Sequence, residues 1–403
     1  MQQSRLDASP DAAGSVTPAG TEEFRVLATC TYFAPGFRAG GPGRSVAHIL
    51  DTASSAVSAV LVTRDRDLGA ASPYPGLSGR WSSRGRARVF YLSPTSPRQW
   101  FALWSQLRRT RFDLLYVNSL WAPFSLLPVA AVRWGLLRAD RVLVAPRGEC
   151  SRGALSLRAL RKRLFVAGWR RVLRRLDAWF HASTEREAAD IRRMFPWATV
   201  RVNGNQSALP PEPAPVPPPH DGPLRLVFLG RIAEMKNLGL ALAALATVRS
   251  PVTMDVCGPI EDAAYWRRCT AQIAALPPTV QVRYVGVVPP SEVPAVLAEH
   301  DALVMPTLGE NFGHVIAESL AAACPVLCSD RTPWTPVLLV GGCAVVPELT
   351  APAWAAEIER WAERSADERY VARRAAADAY RRWRAGVTDE TILDAVRREV
   401  AAA

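Results

Sequence analysis

The sequence predicts an α/β fold in which two domains each contain a parallel sheet. At 403 residues, about half of them apolar, the chain is too long for one ordinary core. Short β-branched or aromatic runs alternate with segments of helical spacing, as in a parallel sheet covered by helices on both faces. This alternation stops once and then restarts, so the chain divides into two similar halves.

The strands of the two halves are predicted from their short apolar runs. Those of the first half are 24–30, 59–63, 88–92, 113–118, 141–145 and 177–183. Those of the second half are 224–230, 252–258, 280–286, 301–306, 325–330 and 343–347. Between them, eight prolines in ALPPEPAPVPPPHDGP leave few backbone donors and favour an extended linker. The predicted units are a flexible tail (1–22), a first domain (23–207), the linker (208–223) and a second domain (224–403) whose last helix can pack back on the first.

Composition narrows the functional classes. A net charge of +12 attracts phosphates, nucleic acids and anionic lipids alike, so charge alone does not choose among them. No RNA-recognition signature, helix-turn-helix spacing or zinc finger is present, which argues against nucleic-acid binding. Seven cysteines without a CxxC pair argue against disulfides and structural zinc and indicate a cytoplasmic location. Neither a signal peptide nor an apolar run of ~20 residues is seen.

A glycine and two cations follow the first strand of the second half. In VFLGRIAEMKN the strand ends at Gly230, and Arg231 and Lys236 lie in the loop before the next helix. Cations at the carboxyl end of a parallel sheet, beside a turn where glycine permits close approach, suit a diphosphate. The alternative is a pair of solvated surface cations.

The stretch TLGENFGHVIAESL places two acids around the start of a helix. Glu310 lies in the loop, and the helix start at Asn311, Phe312 and Gly313 offers unpaired N–H groups to an anion. Glu318 lies inside the apolar helix, where a carboxylate needs hydrogen-bond donors. The two hydroxyls of a ribose are suitable donors.

In combination, these motifs resemble the retaining nucleotide-sugar glycosyltransferases of family 4. The resemblance continues through VCGPIED, YVGVVPPSEVPAVLAEHDALVMPT and DRTPW, and so covers nearly the whole second half. It implies a GT-B fold, with two Rossmann-like domains facing across a cleft. It also implies transfer of a sugar from a UDP- or GDP-sugar to a glycan or lipid-linked acceptor with retention, commonly in surface polysaccharide synthesis, without a metal or a cofactor.

The resemblance also implies residue roles. Arg231 and Lys236 would hold the donor diphosphate, Glu318 the ribose hydroxyls, and Glu310 the sugar ring. Arg231, Lys236 and Glu310 are then the catalytic residues. Ala323 departs from the family, which usually has glycine where this helix ends. Because a left-handed alanine costs roughly 1 kcal/mol, we expect that corner to be built differently.

The first half resembles the family more loosely. Gly40 and Gly41 follow the first strand, where their amides would approach the diphosphate; the alternative is a flexible turn. Arg147, in the loop LVAPRGECSRG, is a candidate for contact with donor or acceptor; the alternative is an ion pair with Glu149.

Two further residues are candidates for the acceptor side. His181 ends a strand before a capped helix, and the alternative is a structural histidine. Asn118 stands where many relatives carry histidine, so a side-chain base or nucleophile at that position is in doubt. This agrees with same-face transfer, in which the departing phosphate oxygen takes the acceptor's proton.

A basic segment at 158–175 alternates arginines with apolar residues at roughly helical spacing. Such a helix can lie on an anionic membrane surface, which suits a lipid-linked acceptor. The alternative is an ordinary surface helix whose apolar side faces the sheet. For the whole chain, the alternatives to a glycosyltransferase are a GT-B protein that binds a nucleotide sugar without transfer, and a nucleic-acid-binding protein.

Overall fold

The computed structural model describes residues 23–151, 159–204 and 208–402, so the predicted tail 1–22 lies outside it. Within these ranges the chain forms two sheets, one of eight strands and one of six. All neighbouring strands pair in parallel except the hairpin at one edge of the first sheet. The predicted α/β fold with two parallel-sheet halves is therefore confirmed.

The first sheet has the strand order β3-β4-β2-β1-β5-β6-β7-β8. Its strands are β1 (Phe24–Cys30), β2 (Val57–Arg64), β3 (Trp81–Arg84), β4 (Ala87–Leu92), β5 (Arg111–Asn118), β6 (Arg138–Ala145), β7 (Trp179–Ala182) and β8 (Thr199–Val202). Its helices are α1 (Gly41–Thr52), α2 (Pro97–Leu107), α3 (Pro123–Arg133), α4 (Ala159–Arg175) and α5 (Glu185–Met194). Strands β3 and β8 were not predicted, because both are short and partly exposed and lack an apolar run.

The second sheet has the order β11-β10-β9-β12-β13-β14. Its strands are β9 (Leu224–Leu229), β10 (Val252–Cys257), β11 (Val280–Gly286), β12 (Ala302–Met305), β13 (Val326–Cys328) and β14 (Ala344–Val345). The later helices are α6 (Leu238–Leu245), α7 (Ala263–Ala274), α8 (Val293–Ala298), α9 (His314–Ala321), α10 (Thr335–Leu339), α11 (Ala351–Ala362), α12 (Ala366–Ala385) and α13 (Ile392–Ala401).

Each sheet has a point where its strand order changes direction. In the second sheet this point lies between β9 and β12, and in the first it lies between β1 and β5. Ligands of open parallel sheets bind outside the carboxyl ends of the strands at such points. Gly40 and Gly41 follow β1, Arg231 and Lys236 follow β9, and Glu310 lies in the loop after β12.

The linker and the last helix both make tertiary contacts. The linker packs on the second domain, where the Ala214 amide donates to the carbonyl of Ala321 at 2.7 Å. The last helix, α13, returns to the first domain, where Ile392 and Leu393 join the core beneath β1. The linker is thus held against the second domain, and the end of the chain is held against the first.

The end of helix α9 corrects the expectation for Ala323. Ala323 adopts a left-handed conformation with φ 52°, so alanine occupies the geometry in which glycine is usual. The Cys324 amide donates to the Ser319 carbonyl at 2.8 Å, and the Ala323 amide donates to Leu320 at 3.0 Å. This is the Schellman pattern, whose hydrogen bonds satisfy the last carbonyls of the helix and offset the strain.

We therefore expect Ala323→Gly to stabilise the protein by about 0.5–1 kcal/mol, because glycine removes the left-handed strain but loses more backbone entropy on folding. Denaturant unfolding measures the change. Ala317→Gly, inside the same helix, is the matched control and should destabilise by about 1 kcal/mol. Equal losses in both variants would contradict the strain at Ala323.

Candidate active site

Residues of both domains meet around the N-terminus of helix α9. Arg44 on α1 forms an ion pair with Glu318 on α9. The Ser45 hydroxyl lies 3.0 Å from Nε2 of His314, the first residue of α9. Asn311 completes the contact by donating from Nδ2 to the Ser183 hydroxyl of the first domain at 3.0 Å. The structure thus holds the two domains against each other at the predicted ligand position.

The cations after β9 are both paired with acids. Lys236 lies in a 3₁₀ turn and forms an ion pair with Glu310, in which both side chains are largely buried. Arg231 pairs with Glu261 on the more exposed side of the cleft. The Asn237 side chain donates to the Pro306 carbonyl at 3.0 Å and so ties the loop after β9 to the loop after β12.

Glu310 is fixed from two directions. Its carboxylate lies 3.2 Å from the Thr307 hydroxyl and also meets Lys236. Its amide donates to the Arg331 carbonyl at 3.1 Å. The predicted pair of acids is therefore placed as the spacing suggested, with Glu310 in the loop and Glu318 inside α9.

Glu318 is a buried carboxylate, with 9% of its surface exposed. Burial raises its pKa, and the positive charge of Arg44 opposes that rise. A carboxylate has about four acceptor positions, so one guanidinium leaves others for ligand hydroxyls. Glu318 can therefore bind a diol if the ligand enters beside Arg44 or displaces it.

The start of helix α9 is built by glycine and aromatic packing. Gly313 precedes the helix with φ 81°, and no side chain caps the helix start. Phe312 is buried, and its carbonyl accepts from the indole N–H of Trp334. Phe312 therefore shapes the loop through its packing, while the uncapped amides that follow can receive an anion.

Gly40 and Gly41 allow the domains to approach closely. A β-carbon on Gly41 would lie 2.2 Å from Cδ2 of His314, and one on Gly40 would lie 4.0 Å from Nε of Arg231. Gly40 also has φ 83°, a conformation that favours glycine. The two glycines thus face the second domain at α9 and at the cation loop.

The candidate acceptor residues form one hydrogen-bonded chain. Arg147 donates from Nη2 to Asn118 Oδ1 at 2.7 Å and to the Tyr116 hydroxyl at 2.8 Å. The Tyr116 hydroxyl lies 2.8 Å from His181 Nδ1, and His181 Nε2 lies 2.9 Å from the Asn203 carbonyl. Because a carbonyl only accepts, the His181 proton is on Nε2, and Nδ1 accepts from tyrosine.

This geometry favours the structural alternative for His181. The residue is buried, and both ring nitrogens are occupied within the first domain. Burial, reinforced by the charge of Arg147, lowers its pKa to about 3. It therefore stays neutral and positions Tyr116 and, through it, Arg147, which has a left-handed backbone with φ 54°.

His314 is also held neutral. Burial, reinforced by the nearby charges of Arg44, Arg147 and Lys236, lowers its pKa to about 3. Its Nδ1 is buried and has no hydrogen-bond partner among the described residues. With such a pKa, His314 is a very weak base at neutral pH.

These two histidines make stability depend on pH. Below pH 6.5 the unfolded chain binds protons that the folded chain excludes, so stability falls as pH falls. From about pH 7 to about pH 5 we expect each histidine to cost about 2 kcal/mol. Denaturant unfolding at pH 7 and at pH 5 tests this expectation. In His314→Asn the loss of stability should be smaller by the contribution of that one histidine. An equal loss in both proteins would contradict the account for His314.

The residues that join the two halves were not predicted from the sequence. Arg44, Ser45 and His314 come together only in the folded chain, and no spacing rule links positions so far apart. Glu187 was also missed; it is buried and accepts from the Gly148 amide at 2.7 Å and the Ser183 amide at 2.8 Å. Its only signal in the sequence was its place in the first turn of a helix, three residues after the capping residue Thr184.

Two facts bear on metals and membranes. Among the described residues, no group of three or more His, Cys, Asp or Glu side chains could hold a metal ion. Across residues 23–151, 159–204 and 208–402, no helix is both long and apolar enough to cross a membrane.

Two facing parallel-sheet domains, with cations and acids where they meet, define a protein of the GT-B architecture. The glycosyl transferases group 1 model matches residues 214–378, and the glycosyl transferase 4-like domain model matches residues 40–206. Together the two models match most of the chain, which therefore belongs to the group 1 glycosyltransferases. A relative, the 2-deoxystreptamine glucosyltransferase of Streptomyces kanamyceticus, is 30% identical over 160 residues. That region spans 37% of this chain and 38% of the relative.

Solved structures share the fold at low sequence identity. HepE of Anabaena, in complex with UDP and glucose, matches with a TM-score of 0.66 and 14% identity over 94% of this chain and 99% of that chain. Sucrose-phosphate synthase of Thermosynechococcus elongatus matches with a TM-score of 0.72 and 17% identity over the same shares. WaaG, a glycosyltransferase involved in lipopolysaccharide biosynthesis, matches with a TM-score of 0.61 and 13% identity over 93% and 99%.

Proposed function

We propose that the protein transfers a sugar from a nucleoside-diphosphate sugar to a glycan or lipid-linked acceptor, with retention at the anomeric carbon. The observation that carries this proposal is the arrangement around helix α9. Lys236 and Glu310 meet on one side of the helix start, and the buried Glu318 lies one turn further inside the helix. Family membership supports the same reading.

The proposed donor roles follow from this arrangement. Glu318 accepts from the ribose hydroxyls, and the amides after Gly313 receive the diphosphate. Arg231 and Lys236 neutralise the charge that grows on the leaving phosphate, which is the work a metal does in other enzymes. Glu310, released from Lys236 by the phosphate, then faces the sugar ring and stabilises its developing positive charge.

Retention is supported by the neutral residues of the cleft. Asn118 has no basic group, and His314, with a pKa of about 3, is too weak a base to take the acceptor's proton. The departing phosphate oxygen is then the base, and the acceptor attacks from the same face as the leaving group. The enzyme contributes orientation and charge stabilisation.

The donor and the acceptor are proposed only as chemical classes. A UDP-sugar is the first donor to test, because the HepE structure holds UDP and glucose. A role in surface polysaccharide synthesis agrees with the neighbour involved in lipopolysaccharide biosynthesis. The glucosyltransferase relative adds an aminocyclitol to the acceptors worth testing. A peripheral position on the membrane agrees with the basic segment at 158–175, part of which forms α4.

A donor panel tests the proposal. UDP-, GDP- and ADP-sugars are each tested for thermal stabilisation and for hydrolysis, and the product sugar's anomeric configuration is read by NMR at early times. We expect one nucleotide class to stabilise the protein and to give a product with the donor's configuration. Stabilisation without any turnover across glycan, lipid-linked and aminocyclitol acceptors would favour a binding protein instead. No stabilisation by any donor would contradict the assignment of the cleft.

A further inference from the structure

The first domain contains an apolar cavity. It has a volume of about 350 Å³ and lies between α2, α3 and the sheet. Residues that line it include Leu27, Leu103, Trp104, Phe124, Pro128 and Ala131. Protein interiors are normally packed without voids of this size, and ligand pockets begin at roughly 300 Å³. The cavity is thus large enough for part of an apolar ligand.

The same cavity continues to the protein surface. Leu127, Trp134 and Leu136 also line it, and they are 49%, 71% and 55% exposed. Large apolar side chains grouped at the opening of an apolar cavity mark a site that something covers. Trp134 further suits a boundary between water and lipid, where indole rings concentrate.

Four arginines are close neighbours, along the chain, of residues that line the cavity. Arg108 and Arg109 follow α2 directly after the lining residue Leu107, and Arg133 precedes Trp134 at the end of α3. Arg138 follows the lining residue Leu137. No ion pair found among the described residues involves any of these four arginines. A negatively charged partner is therefore favoured, and two copies of this +12 chain would repel each other here.

We propose that this cavity binds an acyl chain of an anionic phospholipid at a membrane surface. The chain enters past Trp134 and Leu136, and the phosphate of the headgroup meets the four arginines. Each arginine near an anionic surface adds about 1 kcal/mol, and burying the exposed apolar side chains adds to this. None of the residues that line the cavity is assigned to the nucleotide-sugar cleft, and the proposal does not rest on glycosyl transfer.

Vesicle flotation without any sugar donor tests the surface. We expect the protein to float with equal mixtures of phosphatidylcholine and phosphatidylglycerol, and not with phosphatidylcholine alone. Replacing Trp134 and Leu136 together by alanine should lower the bound fraction about tenfold or more. The matched control replaces Leu339 and Val340, which are 69% and 65% exposed on the second domain, by alanine and should bind as the wild type does. Equal losses in both double variants would overturn the proposal.

A second experiment separates chain binding from headgroup binding. Dioctanoyl phosphatidylglycerol below its micelle concentration should raise the melting temperature of the wild type, whereas glycerol 3-phosphate should not. Ala131→Phe fills the cavity and should abolish that shift in melting temperature. If this variant does not fold, Ala130→Phe takes its place, because Ala130 also lines the cavity but is only half-buried. An equal shift with glycerol 3-phosphate, or an unchanged shift in a folded cavity-filled variant, would overturn the chain site. Lipid-free dimerisation that the Trp134 and Leu136 variant loses would show instead that a second copy covers the surface.

Discussion

Replacing Lys236 by alanine should lower kcat by about 10²–10³-fold, the usual effect of removing one preorganised group that stabilises transition-state charge. In the structure Lys236 is the cation that meets Glu310 beside the start of α9. In the proposed mechanism, this ammonium group neutralises the charge that grows on the phosphate as its bond to the sugar breaks. Steady-state kinetics with the donor found in the panel measures the loss.

Two controls make the Lys236 result specific. Arg267→Ala removes an exposed cation of the same domain and should leave kcat unchanged. Lys236→Ala also leaves Glu310 without its ion pair, so the free energy of unfolding of the variant is measured in parallel. The double variant with Lys236→Met and Glu310→Gln removes both charges, and its free energy of unfolding shows how much of any loss comes from the unpaired carboxylate. Wild-type kcat in Lys236→Ala would contradict the role assigned to the cation loop.

Replacing Gly41 by alanine should lower kcat/KM by about 10²-fold, because a small displacement of reacting groups has an effect of that size. The new β-carbon would lie 2.2 Å from Cδ2 of the His314 ring, so either the ring has to move or helices α1 and α9 have to separate. Arg44 and Ser45 follow directly on α1, and their contacts with Glu318 and His314 would be lost as well. The same kinetic assay measures the change.

A rescue distinguishes this steric effect from general damage. His314→Ala removes the ring that the new β-carbon of Gly41→Ala would strike. The double variant should therefore be more active than Gly41→Ala and nearly as active as His314→Ala alone. Gly168→Ala should behave as the wild type does, because no atom of the described residues outside its own helix backbone lies within 4 Å of the added carbon. If the double variant is no better than Gly41→Ala, the close approach of the two helices is not what limits activity.

Much of the fold could be predicted because it depends on local pattern. The strands of both sheets are buried apolar runs, and the proline-rich segment marked the change of domain. The strands that escaped, β3 and β8, are held by neighbouring strands rather than by their own composition. Ala323 shows the other limit, since the Schellman hydrogen bonds impose a left-handed geometry that alanine's own preference opposes.

The part of the candidate site that lies within short sequence motifs could be predicted. Lys236, Glu310 and Glu318 belong to two short motifs, and the structure places them where those motifs indicated. The partner of Glu318 was beyond sequence reasoning, because Arg44 lies in the other domain. The pairing of Arg147 with Asn118 and Tyr116 likewise depends on the neighbouring positions of β5 and the loop after β6.

The central claim is that the cleft binds a nucleoside diphosphate through Glu318, and calorimetric titration of UDP tests it most directly. We expect UDP to bind the wild type, and Glu318→Ala to weaken that binding by about tenfold or more, since hydrogen bonds to a charged group contribute about 1.5–3 kcal/mol. GDP and ADP are titrated in the same way if UDP does not bind. Binding of equal strength in the two proteins, or no binding of any of the three nucleotides, would contradict the claim.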